Sequence, residues 1–159
     1  MELRVAGLDH PDAVALNEQV QSYYRQIYGD GDLTSLHSEQ FAAPRGLYLL
    51  GYDGERPVAS GAWRALEPGA GDDVVRDGDA EIKRMYVVPD VRGKGHARAV
   101  LAELERAALA AGRRRMVLET GTEQPDAVAL YVSSGYAPIG TFGTHRDDPR
   151  SRCFAKPLG

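Results

Sequence analysis

The chain has 159 residues, of which 43% are hydrophobic and 26% charged, and this composition predicts one globular domain spanning residues 1–159. Its net charge of −4 argues against nucleic-acid binding, which usually needs a basic face, and no apolar run approaches the roughly 18 residues of a membrane span. The N-terminus lacks a signal-peptide pattern and the single Cys153 has no internal partner, so we expect a cytoplasmic protein without a membrane partner.

The first half of the chain predicts a strand, a long helix, a short second helix, two strands and a loop: residues 3–5, 11–28, 33–41, 46–52, 57–65 and 67–79. Apolar residues recur at spacings of three and four in the long helix, as expected for one buried face. The dipeptide Asp53-Gly54 predicts a tight hairpin turn between the two strands. The glycines and aspartates that follow indicate a solvated loop.

The second half predicts a strand, a helix, a strand, a helix and two final strands: residues 79–88, 95–111, 116–120, 125–134, 136–142 and 152–158. The strand–helix–strand unit in the middle implies a locally parallel pair of strands, with antiparallel hairpins around it. The sequence therefore predicts an α/β (α+β) fold with a mixed sheet.

A glycine-containing loop, Arg92-Gly93-Lys94-Gly95-His96-Ala97, follows the central strand and leads directly into a helix. Its backbone N–H groups and the positive end of the helix dipole could bind a phosphate. Alternatively, the glycines only relieve steric strain in a plain strand-to-helix turn, and the loop by itself leaves both interpretations open. It matches neither the P-loop nor the dinucleotide fingerprint, and it lacks the Ser, Thr or Asp that a nucleotide-dependent kinase needs for Mg²⁺.

Tyr131 lies on the helix predicted at 125–134. It is either a core aromatic residue or a phenol that donates a proton to a leaving group within hydrogen-bond reach. The four histidines have no metal-ligand spacing, so we expect no metal site.

Two strand carboxylates, Glu81 and Glu119, are candidates for a general base. Glu81 is predicted to alternate with Lys83, Met85 and Val87 on one face of the central strand. A carboxylate within a sheet is costly unless it is paired or reached by water. Glu81 is thus either a salt-bridge partner, of Lys83, Arg84 or an arginine on a neighbouring strand, or a base for an ammonium substrate.

Four motifs occur in a fixed order: the strand EIKRMYVVP at 81–89, the loop Arg92-x-x-Gly95-x-Ala97, the pair Leu130-Tyr131 and the pair Gly135-Tyr136. Together they resemble the GNAT superfamily of acyl-CoA-dependent N-acyltransferases. The resemblance implies a mostly antiparallel seven-stranded sheet with a central, splayed parallel pair, flanked by about four helices. It also implies acetyl-CoA as co-substrate, no metal, and a possible homodimer.

The resemblance also implies roles for individual residues. Tyr131 would be the general acid on the CoA sulfur, Glu81 the general base, and Glu119 a second choice for that base. Many members have Asn seven residues before the tyrosine, where this chain has Gln124, whose amide could cap the helix or bond the cofactor. The residues assigned to CoA are Met85, Tyr86, Val87, Arg92, Gly93, Lys94, Gly95, His96, Ala97, Arg98 and Gln124.

The predicted function is acetyl transfer from acetyl-CoA to a primary amine of a small molecule or protein, by direct attack in a ternary complex. A non-catalytic acyl-CoA sensor or assembly module is the alternative. The acceptor stays open at this point. The aspartates of the 67–79 loop (Asp72, Asp73, Asp77 and Asp79) would suit a cationic acceptor, whereas Arg146 and Arg150 would suit one with a carboxylate.

Overall fold

The computed structural model describes residues 1–159 and contains seven strands, three α-helices and two short 3-10 helices. The strands are β1 (Glu2–Val5), β2 (Gly46–Asp53), β3 (Arg56–Leu66), β4 (Asp79–Val87), β5 (Arg115–Gly121), β6 (Ala137–Ile139) and β7 (Ser151–Pro157). The helices are α1 (Pro11–Tyr28), α2 (His96–Ala110) and α3 (Pro125–Ser133), and the 3-10 helices are Ser38–Phe41 and Pro89–Val91. None of the helices is long and apolar enough to cross a membrane.

All seven strands form one sheet in the order β1-β2-β3-β4-β5-β7-β6. Every neighbouring pair is antiparallel except β4 and β5, which run parallel. Their pairing extends only from Asp79 to Glu81 on β4 and from Arg115 to Val117 on β5. Beyond these residues the two strands diverge. The predicted mixed sheet with a splayed central parallel pair is therefore confirmed.

The core lies between the sheet and its helices. In α2 the buried residues Val100, Leu101, Leu104 and Ala108 form one face, which packs against β2, β3 and β4. In α1 the buried stripe is Ala13, Leu16 and Val20. Trp63 and Tyr48 are the largest fully buried side chains of the sheet. One edge of β4 is paired with β3, whereas the edge that faces β5 has no strand partner after Glu81.

A bulge in β4 corrects the predicted alternation of its side chains. Tyr86 pairs with Ser60 and Lys83 with Ala62, so that Arg84 and Met85 together lie opposite one residue of β3. Arg84 has φ 58°, and the Ser60 hydroxyl donates to its carbonyl at 2.8 Å. The single alternation predicted from Glu81 to Val87 is therefore wrong beyond Lys83, because the extra residue shifts the register.

Two of the predicted elements are much shorter than expected. The structure has three α-helices, whereas about four were expected. Only Ser38–Phe41 of the helix predicted at 33–41 forms, as a 3-10 turn. The segment before it is held by the Gln21 side chain, which bonds both the N–H and the carbonyl of Asp32. Such side-chain bonds to the backbone compete with helix formation. The strand predicted at 136–142 shortens to Ala137–Ile139.

Candidate active site

A cavity of about 840 Å³ opens where β4 and β5 diverge. Its wall combines the end of α1, the bulged part of β4, the loop before α2, the end of β5, the inner face of α3 and part of the 140–150 loop. This volume is within the range typical of small-molecule and cofactor sites. The splayed pair therefore forms a site large enough for an extended ligand.

At one end of the cavity, the loop before α2 presents its backbone N–H groups to solvent. Gly93 and Gly95 have φ of 79° and 82°, and a Cβ built on either would meet nothing within 4 Å. The first helical hydrogen bond runs from Ala99 N–H to the Gly95 carbonyl at 3.1 Å, and no side chain caps the helix. The N–H groups of the first turn are thus free to bind an anion at the positive end of the helix dipole.

Some of the charged residues in and after this loop line the cavity, and others do not. Arg92 lines the cavity, where its Nε donates to the Val87 carbonyl at 2.8 Å and its guanidinium lies over the rings of Tyr23 and Tyr86. Arg98 also lines the cavity and donates to the hydroxyls of Ser133, the last residue of α3, and of Ser134, which follows it. Lys94 is exposed and does not line the cavity, whereas Gly93, Gly95, His96 and Ala97 do.

The edge of β4 that faces the gap is lined by Met85, Tyr86 and Val87. Because β5 has already diverged, this edge has no strand partner there. An unpaired strand edge can bond an extended ligand through its backbone. The Val87 carbonyl, however, is already an acceptor for Arg92, which leaves the neighbouring backbone groups as the accessible ones.

Tyr131 lies in the wall of the cavity and is 6% exposed. Its ring packs edge-on against Tyr136 at 5.7 Å, and Tyr136 is fixed by a 2.7 Å hydrogen bond to Glu105. The Tyr131 hydroxyl has no hydrogen-bond partner within the chain. Burial raises the pKa of Tyr131 above its usual value, so that the phenol keeps its proton at neutral pH.

Glu119 lies on β5 in the same cavity, beyond the point where the strands diverge. Burial raises the pKa of its carboxyl to about 7, although the nearby His145 and Lys83 oppose the shift. No hydrogen bond from the chain engages this carboxyl. A carboxyl that titrates near neutral pH and is free of partners suits a general base.

Glu81, unlike Glu119, lies in a buried ion pair. It is 5% exposed and pairs with Arg64 of the neighbouring strand β3, whose Nε and Nη2 lie 3.0 and 2.9 Å from Oε1. The main cavity does not include it. The structure thus brings Tyr131 and Glu119 to one cavity and places Glu81 in a buried ion pair, as the salt-bridge interpretation of the sequence expected.

Gln124 precedes α3 and lines the cavity, but it does not cap the helix with its side chain. Its Nε2 donates instead to the Tyr28 hydroxyl at 3.2 Å. Of the two roles left open for its amide, capping is therefore not found, because the side chain reaches α1 instead of the first turn of α3, and the bond to the cofactor stays a prediction.

A charged cluster that was not predicted from the sequence also lines the cavity. Asp32 Oδ2 accepts from Lys83 Nζ and from Arg84 Nη1, each at 2.6 Å, and His145 Nε2 lies 3.1 Å from Oδ1. Although burial raises it, the pKa of Asp32 is held well below its usual range by Lys83, Thr34 and Arg84. The sequence offered only the Asp30-Gly31-Asp32 helix stop as a signal, because the partners come from distant segments.

Two aspartates of the 67–79 loop, Asp72 and Asp79, have structural partners. Asp79 is fully buried and accepts two hydrogen bonds of 2.8 Å from Arg115. Asp72 accepts from the N–H groups of Val74 and Val75. These two carboxylates are therefore engaged in folding the loop. No group of three or more His, Cys, Asp or Glu side chains is arranged to hold a metal ion.

Comparison with known proteins identifies a family whose model matches most of this chain. The model of the acetyltransferase (GNAT) family matches residues 14–136. The chain is 33% identical to a protein named IAA acetyltransferase of Azospirillum brasilense over 145 residues, which cover 91% of this chain and 90% of that protein. It is 26% identical to the N-acetyltransferase YjcF of Bacillus subtilis over 125 residues, covering 79% of this chain and 76% of the relative.

Solved structures show the same fold. A Klebsiella pneumoniae protein named as an acyl-CoA N-acyltransferase aligns with a TM-score of 0.80 at 26% identity, covering 99% of this chain and 97% of that one. The PaiA N-acetyltransferase of Thermoplasma acidophilum, solved in complex with coenzyme A, aligns with a TM-score of 0.69 at 15% identity and covers 99% of both chains. At that identity the second likeness shows the fold alone.

Proposed function

The chain belongs to the acetyltransferase (GNAT) family, and on this premise we propose that it transfers an acetyl group from acetyl-CoA to a primary amine. One observation carries the proposal. A single cavity runs from a helix N-terminus with free N–H groups to an unpartnered carboxyl, Glu119, and a protonated phenol, Tyr131. An anion site, a base and an acid are the groups that this transfer requires.

The residues present fit CoA. The N–H groups from Gly93 to Ala97 would bind its pyrophosphate, because they donate no hydrogen bond within the chain. The unpaired edge of β4 at Met85 and Tyr86 would bond the extended arm of the cofactor. Arg98 and Gln124 line the same cavity and would add polar contacts.

Glu119 would act first. An alkyl ammonium group has a pKa near 10.4, so the amine must lose a proton before it can attack. Glu119, with a pKa of about 7, accepts that proton directly or through water. We assign this role to Glu119 rather than to Glu81, because Glu81 is tied to Arg64, whereas no hydrogen bond or ion pair within the chain engages Glu119.

Acetyl-CoA supplies the activated acetyl group: the amine nitrogen bonds to its carbonyl carbon, and the bond from that carbon to sulfur breaks. Tyr131 donates its hydroxyl proton to the departing sulfur and recovers a proton from the nitrogen, which must lose one as the amide forms. The products are the amide and the free thiol, and the one proton taken by Glu119 passes to solvent. No covalent link to the chain is needed.

We further propose that residues 1–159 act as one acetyltransferase domain in the cytoplasm. Two observations support this. Strands from both ends of the chain share one sheet, and the single Cys153 is buried without a partner.

The function is tested by titrating the protein with CoA in a calorimeter and by following thiol release from acetyl-CoA with and without a panel of amines. We expect CoA binding and amine-dependent thiol release with an acetylated product in the mass spectrum. CoA binding with no amine-dependent release would instead favour a non-catalytic acyl-CoA sensor.

A further inference from the structure

A second, smaller cavity of about 240 Å³ adjoins the first. Lys83 and Glu119 line both cavities and therefore form part of the wall between them. A molecule in the smaller cavity can thus place its nitrogen at Glu119 while the main cavity holds the acetyl donor. The volume lies below the range typical of drug-sized ligands, so it fits a molecule of about amino-acid size.

The acidic groups around the smaller cavity already have partners, with Glu119 as the exception. Glu81 pairs with Arg64 at 2.9 Å, and Glu67 pairs with Arg113 at 2.9 Å. Asp72 accepts two backbone N–H groups of its own loop. A second cationic group on the acceptor would therefore find no free carboxylate here.

Of the basic side chains that line the smaller cavity, two form ion pairs and one does not. Arg64 and Lys83 each lie within 3 Å of a carboxylate, on Glu81 and Asp32. Arg146 donates only to the Gly143 carbonyl, at 3.2 Å, and forms no ion pair, although Asp72 lies near enough for the two charges to interact. Its loop passes beside the proposed base, since a Cβ built on Gly143 would lie 3.6 Å from Glu119 Oε2. The cavity thus combines one free guanidinium with one free carboxyl.

We propose that the smaller cavity binds a small amine that carries a carboxylate, such as an amino acid, with Arg146 binding the carboxylate and Glu119 receiving the amine proton. The inference rests on the proposed function. A guanidinium binds a carboxylate through two parallel hydrogen bonds, which would orient the acceptor as well as hold it. Arg146 is then the residue that determines acceptor specificity.

The test compares acceptor pairs that differ by the carboxylate: serine with ethanolamine, and phenylalanine with phenethylamine. The measured quantity is the ratio of kcat/KM within each pair, for wild type, Arg146→Ala, Arg146→Lys and Arg152→Ala. Because each ratio is compared between variants, the different basicity of the two amines cancels. Arg152 is an exposed arginine of β7 that lines neither cavity, so it is the matched control.

We expect Arg146→Ala to lower the ratio about tenfold or more, mainly through a higher KM for the amino acid, and Arg146→Lys to restore part of it. Arg152→Ala should leave the ratio unchanged. Amine-dependent thiol release with a ratio that Arg146→Ala does not change would overturn the inference alone. If none of these four compounds supports thiol release but another amine of the panel does, the inference alone fails. If no amine of the panel supports thiol release, both the inference and the proposed function fail.

Discussion

Arg84 donates to the Asp32 carboxylate at 2.6 Å although 52 residues separate the two in the chain. The contact joins the segment after α1 to the bulge of β4, where Arg84 adopts φ 58°. Lys83 bonds the same carboxylate oxygen, also at 2.6 Å. One partly buried carboxylate therefore binds two neighbouring cations in the wall of the main cavity.

Asp32→Asn should destabilise the protein by about 3–5 kcal/mol, because it leaves the buried Arg84 and the partly buried Lys83 without their carboxylate. Urea unfolding measures the change, with Asp147→Asn, at an exposed residue without an ion pair, as the control. The folded-state pKa of Asp32 is lowered, so its contribution is present above the unfolded value of about 3.9 and is lost as the pH falls below it. Equal stability of the two variants at pH 7 would show that Asp32 does not hold the cluster.

Glu119→Gln should remove the pH dependence of acetyl transfer near neutrality. In the wild type, kcat/KM should rise through a pKa of about 7, because the base must be deprotonated and burial has raised the pKa of this carboxyl. The variant should be slower by about 100-fold or more above that pH and should lack this limb. Glu55→Gln, in the exposed β2–β3 turn, is the control. If the rate of Glu119→Gln still rises through a pKa near 7, another residue is the general base.

Glu81→Gln separates the two candidate bases. We expect it to lower stability by several kcal/mol, about 3 or more, because it leaves the Arg64 guanidinium buried without its carboxylate. The pH profile of the remaining activity should still show the limb near 7. The measurement is the same profile at a temperature where the variant is folded, and loss of the limb in Glu81→Gln but not in Glu119→Gln would reverse the assignment.

Gly95→Asp should weaken CoA binding about tenfold or more, because it adds a negative charge to the loop that carries the free N–H groups. Any side chain is strained at this positive φ, so Gly95→Ala reports the strain alone. Gly54→Asp, at another positive φ with open space, should leave the dissociation constant unchanged. Similar dissociation constants for Gly95→Asp and Gly95→Ala would contradict an anion site at this loop.

The sequence predicted those features that depend on local periodicity and turn chemistry. The helix at Pro11–Tyr28, the hairpin at Asp53-Gly54 and the parallel pair are as expected, whereas the splaying of that pair was implied by the family resemblance. The sequence alone could not distinguish Glu81 from Glu119 as the candidate base. The distinction depends on which residue of β3 lies opposite Glu81, and that residue is Arg64. The bulge at Arg84 and the cluster around Asp32 likewise arise from pairing between distant segments.

The most direct test of the account is thiol release by the double variant Glu119→Gln/Tyr131→Phe, with acetyl-CoA and an amine that the wild type accepts. Tyr52→Phe is the control, since that hydroxyl bonds Asp12 and lies outside the main cavity. We predict that the double variant binds CoA as the wild type does and releases thiol about 1,000-fold more slowly, while the control keeps its rate. A folded double variant that acetylates the amine at the wild-type rate would contradict the central claim.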